Sequence, residues 1–346
     1  MNYRTGKLLR RQLRVRYPAA GARIVLRTEL DWDRDLEPVS VCDDGTCFTF
    51  ALEAPRPFLR FKPCLRRGGE FHWAAGPDKL VVMTHAGGRD VYPVFFSPPF
   101  GSFAPLIEID SPLLGRRHRI RVYLPAGYDE NALEEHPVLY MQDGKNLFFA
   151  DEAFGGREWQ VDESLDLLDG MNALDELIVV GIHSADRMAE YTQPGYEAYG
   201  RSVVEELKPE IDRRFRTRPG RLDTGVMGSS LGAVASFFMA WQWPDVFGQA
   251  ACLSGTFSHR DDLVERVLSE PRRRCRFYLD SGWPGDNFET TLAMALALRG
   301  AGYEYGLDFL HLVFPLAEHH EGAWAERLHV PLQFFYGRLG TAARSG

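Results

Sequence analysis

The chain has 346 residues, 45% of them hydrophobic and 25% charged. Lys plus Arg number 40 against 48 for Asp plus Glu, a formal net charge of −8. That mix excludes a disordered tail protein, a coiled coil and a collagen-like chain, and its acidic balance argues against a general nucleic-acid coat. At roughly 150 residues per domain the length suggests two domains. No apolar run approaches the ~20 residues that span a bilayer.

Residues 1–20, MNYRTGKLLRRQLRVRYPAA, are basic and lack the apolar core of a signal peptide. They read as a solvated arm. Cys42, Cys47, Cys64, Cys252 and Cys275 are odd in number and without CxxC spacing. They indicate neither a disulfide framework nor a metal site. Cys42 and Cys47 flank a turn and could pair in an oxidising compartment; reduced thiols in a cytoplasm are the favoured reading.

Residues 21–105 carry short β-prone runs, among them ARIVLRTEL, CFTFALEA, PFLRFKPCL, KLVVMTHA and DVYPVFF. Turn formers at Asp43-Asp44-Gly45, Arg67-Gly68-Gly69 and Ala86-Gly87-Gly88 separate them. Such spacing predicts a small antiparallel sandwich. Trp32, Phe71 and Trp73 fit either a sugar- or aryl-binding platform or a packed core. The Arg60–Arg67 stretch reads as a solvated edge strand. Ser97–Pro105, SPPFGSFAP, is an uncharged boundary segment.

Residues 106–340 change in texture, and 341–346 are a tail. Apolar runs HRIRVYLP, HPVLYMQ, ELIVVGI, GVMG, GQAACLSG, CRFYLDSG and LHLVFPL alternate with helix-like stretches. One such stretch runs from Val204 to Phe215, with Pro209 as a kink; others cover 231–243, 287–299 and 321–336. Apolar strands alternating with helices imply an α/β fold, its mostly parallel sheet covered by helices on both faces.

The chemistry centres on Gly228-Ser229-Ser230-Leu231-Gly232, a G-x-S-x-G turn between an apolar strand and a helix opening with small residues. That is the setting of a nucleophile elbow. Ser230 would be the nucleophile, with the Leu231 N–H at the helix start as an oxyanion donor. The plainer alternative is a tight turn whose serine caps the helix. A serine hydroxyl needs a positioned base, and in this arrangement the order is Ser, acid, His. His319 and His320 follow the last strand. His311 lies in a strand, His329 in a helix, and His259 too early. Asp286, in the loop after CRFYLDSG, is the first candidate acid; Asp280 and Glu289 are alternatives, and Asp286 could instead cap a helix. Gln142-Asp143-Gly144-Lys145-Asn146 is the loop expected to give the second oxyanion N–H, from Gly144 or Lys145. Lys145 and Asp143 also fit a surface pair.

In order along the chain, RIRVYLPAGYDE, HPVLYMQDGKNLF, VGIHSADRMAEYTQP, the elbow GSSLGAVASFFMAWQWPDVFGQAACLSG and EHHEGAW resemble an esterase family of the α/β-hydrolases. That family holds enterochelin esterase-like and esterase D-like proteins and is related to feruloyl and acetylxylan esterases and mycolyltransferases. The resemblance covers 107–337. It implies an α/β-hydrolase fold and a serine esterase with a Ser230–His319–Asp286 triad. The His-to-Trp spacing of EHHEGAW selects His319 over His320. Gln142 stands where relatives often carry histidine. Arg187, Glu190 and Tyr191 match the family's RxxEY, and with Gln142, Asp143 and Ser229 are expected near the substrate; Arg187 and Glu190 equally fit an ion pair. The N-terminal region resembles the immunoglobulin-like or starch-binding-like modules that precede such esterases.

The implied partner is a small-molecule ester, with no cofactor, no metal, no nucleic acid and no membrane span. Rival readings are a trilactone-siderophore esterase, an acyltransferase and a carbohydrate-binding protein with a relic hydrolase fold. The sequence leaves a homo-oligomer open.

Overall fold

The computed structural model describes residues 7–85 and 88–338. Residues 1–6 of the expected arm, Ala86 and Gly87 of one expected turn, and the 341–346 tail lie outside the described residues. The chain divides into two compact units.

The first unit holds residues up to Gly101 together with Pro125–Glu135 and Gly170–Asn172. Its strands are β1 (Leu9–Arg16), β2 (Arg23–Thr28), β3 (Asp31–Leu36), β4 (Ser40–Val41), β5 (Cys47–Ala54), β6 (Phe58–Arg67), β7 (Glu70–Trp73), β8 (Lys79–Val82) and β9 (Arg89–Val91). One sheet has the order β4-β5-β1-β9; the other runs β3-β2-β6-β7, with β8 also paired to β6. A period-two alternation along these strands builds the core. In β5, Phe48, Phe50, Leu52 and Ala54 are buried while Ala51 and Glu53 are exposed. They meet Leu13, Val15, Ile24, Leu26, Leu59, Phe61 and Leu65 in one apolar cluster.

Two expectations are corrected here. The basic arm contains β1, which pairs antiparallel with β5 and parallel with β9. Leu13 and Val15 point inward while Arg10, Gln12 and Arg14 face solvent, so a half-buried strand hid beneath a high arginine content. The Arg60–Arg67 stretch is not an edge: β6 lies between β2 on one side and β7 and β8 on the other. Trp32, Phe71 and Trp73 stand outside the sandwich core. Trp73 meets Phe71 at 5.2 Å and Trp32 at 6.4 Å, and the Arg27 and Arg66 guanidiniums lie 4.5 and 4.7 Å from the Phe71 ring. Both arginines also pair with Asp35.

The segment Pro125–Glu135 belongs to this first unit although it interrupts the second. Glu130 accepts the N–H groups of Phe95, Phe96 and Ser97 at 2.7–2.9 Å, and Asn131 donates to the carbonyls of Arg16 and Pro93, each at 3.0 Å.

The second unit is built on β10 (Ser102–Phe103), β11 (Ile107–Ser111), β12 (Arg116–Leu124), β13 (Val138–Met141), β14 (Ile178–His183), β15 (Thr224–Ser229), β16 (Gln249–Leu253), β17 (Arg276–Trp283) and β18 (Phe309–Pro315). The order is β10-β12-β14-β13-β15-β16-β17-β18, with β11 on β12. β12 runs antiparallel to β14, and every pairing from β14 to β18 is parallel. β10 lies inside the expected boundary segment, so the large sheet begins earlier than 106.

Its helices are α1 (Val161–Gly170), α2 (Arg187–Tyr191), α3 (Gly195–Ser202), α4 (Lys208–Arg214), α5 (Leu231–Gln242), α6 (Leu263–Ser269), α7 (Phe288–Gly300), α8 (Glu321–Arg327) and α9 (His329–Tyr336). On one face, Leu165, Leu168, Trp324, Leu332 and Phe335 pack on Leu139, Met141, Val179, Met227 and Leu253. On the other, Phe237 of α5 stacks on Phe277 at 4.6 Å, and the Cys252 thiol reaches the Ala233 carbonyl at 3.4 Å. Alternate strand residues thus feed two apolar layers. The expected kink at Pro209 is replaced by a π turn over Val203–Leu207, which joins α3 to α4. Pro209 then sits in the first turn of α4, just after the ladder has widened from α to π; with helix already before it, it has no N–H to give back to that turn. Among the described residues no helix is long and apolar enough to cross a membrane.

Candidate active site

In an open parallel sheet, loops at the carboxyl ends of the strands share one edge. The loops that hold Gly144 and Lys145, Ser230 and Leu231, Asp286 and His319 all leave strands at that edge. Ser230 joins β15 to α5 with φ 56° and ψ −123°, a sparsely populated conformation for a residue with a side chain. Its N–H donates to the Leu253 carbonyl at 3.0 Å. A Cβ on Gly228 would stand 2.5 Å from the Gly232 carbonyl oxygen, so only glycine lets strand and helix approach so closely. Ser229 is buried at the end of β15. Ser230 is 9% exposed, at the edge of the wall rather than beneath it.

Leu231 opens α5, so its N–H has no intrahelical acceptor. The loop after β13 lies beside it. Asp143 adopts φ 55°, and Gly144–Asn146 form a single tight helical turn. A Cβ on Gly232 would meet the Gln142 Cβ at 3.0 Å and Asp143 Oδ2 at 3.2 Å, and one on Gly144 would meet the Gly181 carbonyl carbon at 2.5 Å. The loop is therefore pressed between the elbow and β14. Gly144 and Lys145 occupy the first turn, where N–H groups lack intrahelical partners.

Gln142 is buried under the elbow, and its Oε1 accepts the Tyr199 hydroxyl at 2.5 Å. This role differs from the expected substrate contact. Tyr191 is also buried; its hydroxyl oxygen accepts the Asp143 N–H at 3.3 Å. Arg187 grips Asp143 through two bonds of 2.9 and 3.0 Å. Burial raises the Asp143 pKa, and Arg187 pulls against it. The alternative pairings are corrected: Asp143 pairs with Arg187 rather than Lys145, and Glu190 pairs with Arg116 rather than Arg187.

The structure brings His319 and Asp286 together, with His319 Nδ1 2.7 Å from Asp286 Oδ1. A carboxylate only accepts, so the hydrogen on this bond belongs to Nδ1, which leaves Nε2 as a proton acceptor. Asp286 also accepts from the Ser254 hydroxyl at 2.5 Å, the Gly282 N–H at 2.6 Å and the Asn287 N–H at 2.8 Å. Burial opposes its ionisation, but the bonds from His319, Ser254, Gly282 and Asn287 outweigh it and hold the carboxyl well below the usual range. Asn287, not Asp286, stands at the N-cap position of α7, and its side chain donates to the Ser254 carbonyl at 2.8 Å instead of capping the helix.

Asp280 is fully buried on β17 and faces Arg327, whose Nε lies 3.1 Å from its Oδ1. Burial pushes its pKa up to about 6 against the pull of Arg327 and Tyr278. His320 caps α8, its Nδ1 accepting the Ala323 N–H at 3.1 Å. His311 meets Thr291 at 3.4 Å, and His329 meets the Glu326 carbonyl at 3.1 Å. Of these histidines, His319 is the one on a buried carboxylate; His320 Nε2 has the exposed Glu318 at 3.5 Å.

Sequence reasoning passed over Ser254 and Arg327, both in contact with Asp286. Ser254 had a signal, since it ends a strand at the same sheet edge. Arg327 had none that separates it from a surface arginine on a helix. An imidazole oriented by an ionised carboxylate can accept a proton, and unpaired N–H groups at two helical starts can hold a developing oxyanion.

A family profile described as "Putative esterase" matches residues 111–333. The chain is 26% identical over 196 residues to an endo-1,4-beta-xylanase/feruloyl esterase of Xylanibacter ruminicola, a match covering 55% of this chain and 26% of that protein. It is 26% identical over 157 residues to the Bacillus subtilis protein YbbA, covering 40% of this chain and 57% of the relative. The chain thus spans little more than half, or less, of these curated relatives. Among solved structures, a ferulic acid esterase of Anaeromyces mucronatus superposes with a TM-score of 0.56 at 17% identity, over 69% of this chain and 92% of that one. The ferric enterobactin esterase of Salmonella typhimurium gives a TM-score of 0.56 at 15% identity, over 96% and 95%. These likenesses establish the α/β-hydrolase fold preceded by an all-β module.

Proposed function

The chain belongs to the Putative esterase family, and from that premise we propose that it is a serine esterase hydrolysing carboxylic esters of small molecules through an acyl-enzyme. Ser230 Oγ attacks the ester carbonyl. His319 Nε2 takes the hydroxyl proton and then passes it to the leaving alkoxide. Asp286 holds the imidazole in the required tautomer and stabilises the imidazolium. The N–H groups of Leu231 and of Gly144 or Lys145 receive the oxyanion. Water repeats the sequence on the acyl-enzyme and releases the acid. The scheme calls on no metal or organic cofactor. The five free cysteines suit a reducing, cytoplasmic setting.

One observation carries the reading: the 2.7 Å contact of His319 with Asp286, on the strand edge that also holds Ser230 at φ 56°. The test is hydrolysis of p-nitrophenyl esters from acetate to octanoate by the wild type and Ser230→Ala. Activity that vanishes in the variant supports the reading. Activity above about a tenth of wild type in Ser230→Ala overturns it, because a nucleophile acts as a unit with its base.

A second reading, hydrolysis of a trilactone siderophore ester, is favoured by extent. The likeness to the enterobactin esterase runs over 96% of the chain, whereas that to the ferulic acid esterase stops at 69%. Hydrolysis of enterobactin set against ethyl ferulate decides between them.

A further inference from the structure

Resting on the triad reading above, we propose that Ser254 and Arg327 are positioning residues: a hydrogen-bond relay of fixed polarity that presents the Asp286 carboxylate to His319. Ser254 follows β16 with φ 47°. Its hydroxyl oxygen lies 2.9 Å from Trp324 Nε1, 2.6 Å from Arg327 Nη2 and 2.5 Å from Asp286 Oδ2. An indole N–H and a guanidinium can only donate. Together they fill the acceptor positions of the Ser254 oxygen, so its single hydrogen has one direction left, toward Asp286. The Gly282 N–H fixes the same Oδ2, and the Asn287 N–H fixes Oδ1 beside His319. Neither carboxylate oxygen is free to turn away from the imidazole.

Trp324 ties the two ends together. Its indole donates to Ser254 while its ring stands edge-on to the His319 ring, 5.1 Å between centroids at 83°. Arg327, 2% exposed, is shared between two carboxylates, with Nε 3.1 Å from Asp280 Oδ1 and Nη2 3.5 Å from Asp286 Oδ2. Asp280 is held in turn by the Tyr278 hydroxyl at 2.8 Å. Burying such a group is expensive, and apolar side chains would hold the last helices to the sheet as well or better. A fixed cation behind Asp286 keeps that carboxylate ionised and oriented while His319 alternates between neutral and charged forms.

A double-mutant cycle tests this, using Ser254→Gly, Asp286→Ala and their combination. Glycine suits the left-handed backbone at Ser254, and thermal melts check that each variant is folded. Ser254→Gly is expected to lower kcat on the preferred p-nitrophenyl ester about 10- to 100-fold, the scale of removing an outer hydrogen-bond partner, with KM little changed. In the Asp286→Ala background the same substitution is expected to cost nothing further, because the relay acts only through that carboxylate. Independent, additive losses overturn the relay and leave the triad standing; so does an unchanged kcat in Ser254→Gly. Full activity in Asp286→Ala overturns both. Arg327 is tested in the pair Arg327→Met with Asp280→Asn, so that Asp280 is not left as an unpaired buried charge. A kcat loss with KM retained is expected in the folded double variant, and wild-type kcat removes Arg327 from the relay.

Discussion

Gly228 and Gly232 approach so closely that a Cβ on the first would lie 2.5 Å from the carbonyl oxygen of the second and 2.6 Å from its carbonyl carbon. Both obstacles are backbone, and neither can swing aside. Gly228→Ala is therefore expected to push β15 and α5 apart, costing on the order of 2 kcal/mol or more in stability and displacing Ser230. Gly232→Ala meets the Gln142 side chain at 3.0 Å and Asp143 Oδ2 at 3.2 Å and is expected to be milder. Chemical denaturation with esterase assays on both variants checks the order; a more damaging Gly232→Ala would contradict it.

The two candidate acids separate by what they hold. Asp286→Asn keeps the shape but offers its amide N–H group to the imidazole, so the wrong tautomer is favoured. A loss of about 10⁴-fold in kcat is expected, as for the equivalent change in serine proteases. Asp280→Asn leaves His319 and Asp286 bonded and weakens the bonds with buried Arg327 and with the Tyr278 hydroxyl. It is expected to lose on the order of 1–3 kcal/mol of stability with a much smaller effect on kcat. Steady-state kinetics and thermal melts on the pair check this; the reverse ranking would move the acid to Asp280.

Much of this arrangement was legible from local pattern. Apolar runs of four to eight residues gave the parallel strands, and Gly228-Ser229-Ser230-Leu231-Gly232 marked the sharp turn, since packing at that turn admits only small residues. Chain order after the elbow then pointed to the loops of Asp286 and of His319-His320, and the family resemblance chose His319, which stands 2.7 Å from Asp286. What stayed hidden depends on tertiary contact. In β1 four arginines mask a two-residue period that inward Leu13 and Val15 reveal only once β5 is beside them. Glu190 and Arg187 sit one helical turn apart, yet each turns to a partner far along the chain, Arg116 and Asp143. Arg327 is buried against Asp280 of β17 and Ser254 beyond β16, and no spacing in its own helix announces that.

The Arg187–Asp143 pair makes a prediction with a definite pH sign. Burial already raises the Asp143 pKa against the pull of Arg187. Arg187→Met removes that pull, so the carboxyl is harder still to ionise in the folded state. A raised folded pKa means stability is retained below the ordinary carboxylate range and lost as pH rises through the folded value. The penalty, on the order of 1–3 kcal/mol, is thus expected to be larger near neutral pH than in mild acid. Urea unfolding of the variant at both conditions reads this directly. Adding Asp143→Asn should restore stability and flatten its pH dependence; a double variant as weak and as pH-sensitive as Arg187→Met would rule the explanation out.

His118 offers the opposite sign. The residue is buried on β12, with Nε2 3.0 Å from the Ser202 hydroxyl. Burial, and then the neighbouring Arg116 charge, push its pKa down from 6.5 to about 4. Between those values the unfolded chain takes up a proton that the folded chain refuses. Stability from this group is therefore complete above the unfolded pKa and drains away as pH falls toward the folded one, at about 1.4 kcal/mol per pH unit. His118→Gln keeps an amide near the Ser202 hydroxyl but cannot titrate. Its unfolding free energy should fall less than that of the wild type between neutral pH and mild acid, whatever other groups contribute to both proteins. Urea titrations of the two at matched pH values give the difference, and parallel curves would mean that His118 is protonated in the fold as readily as in the unfolded chain.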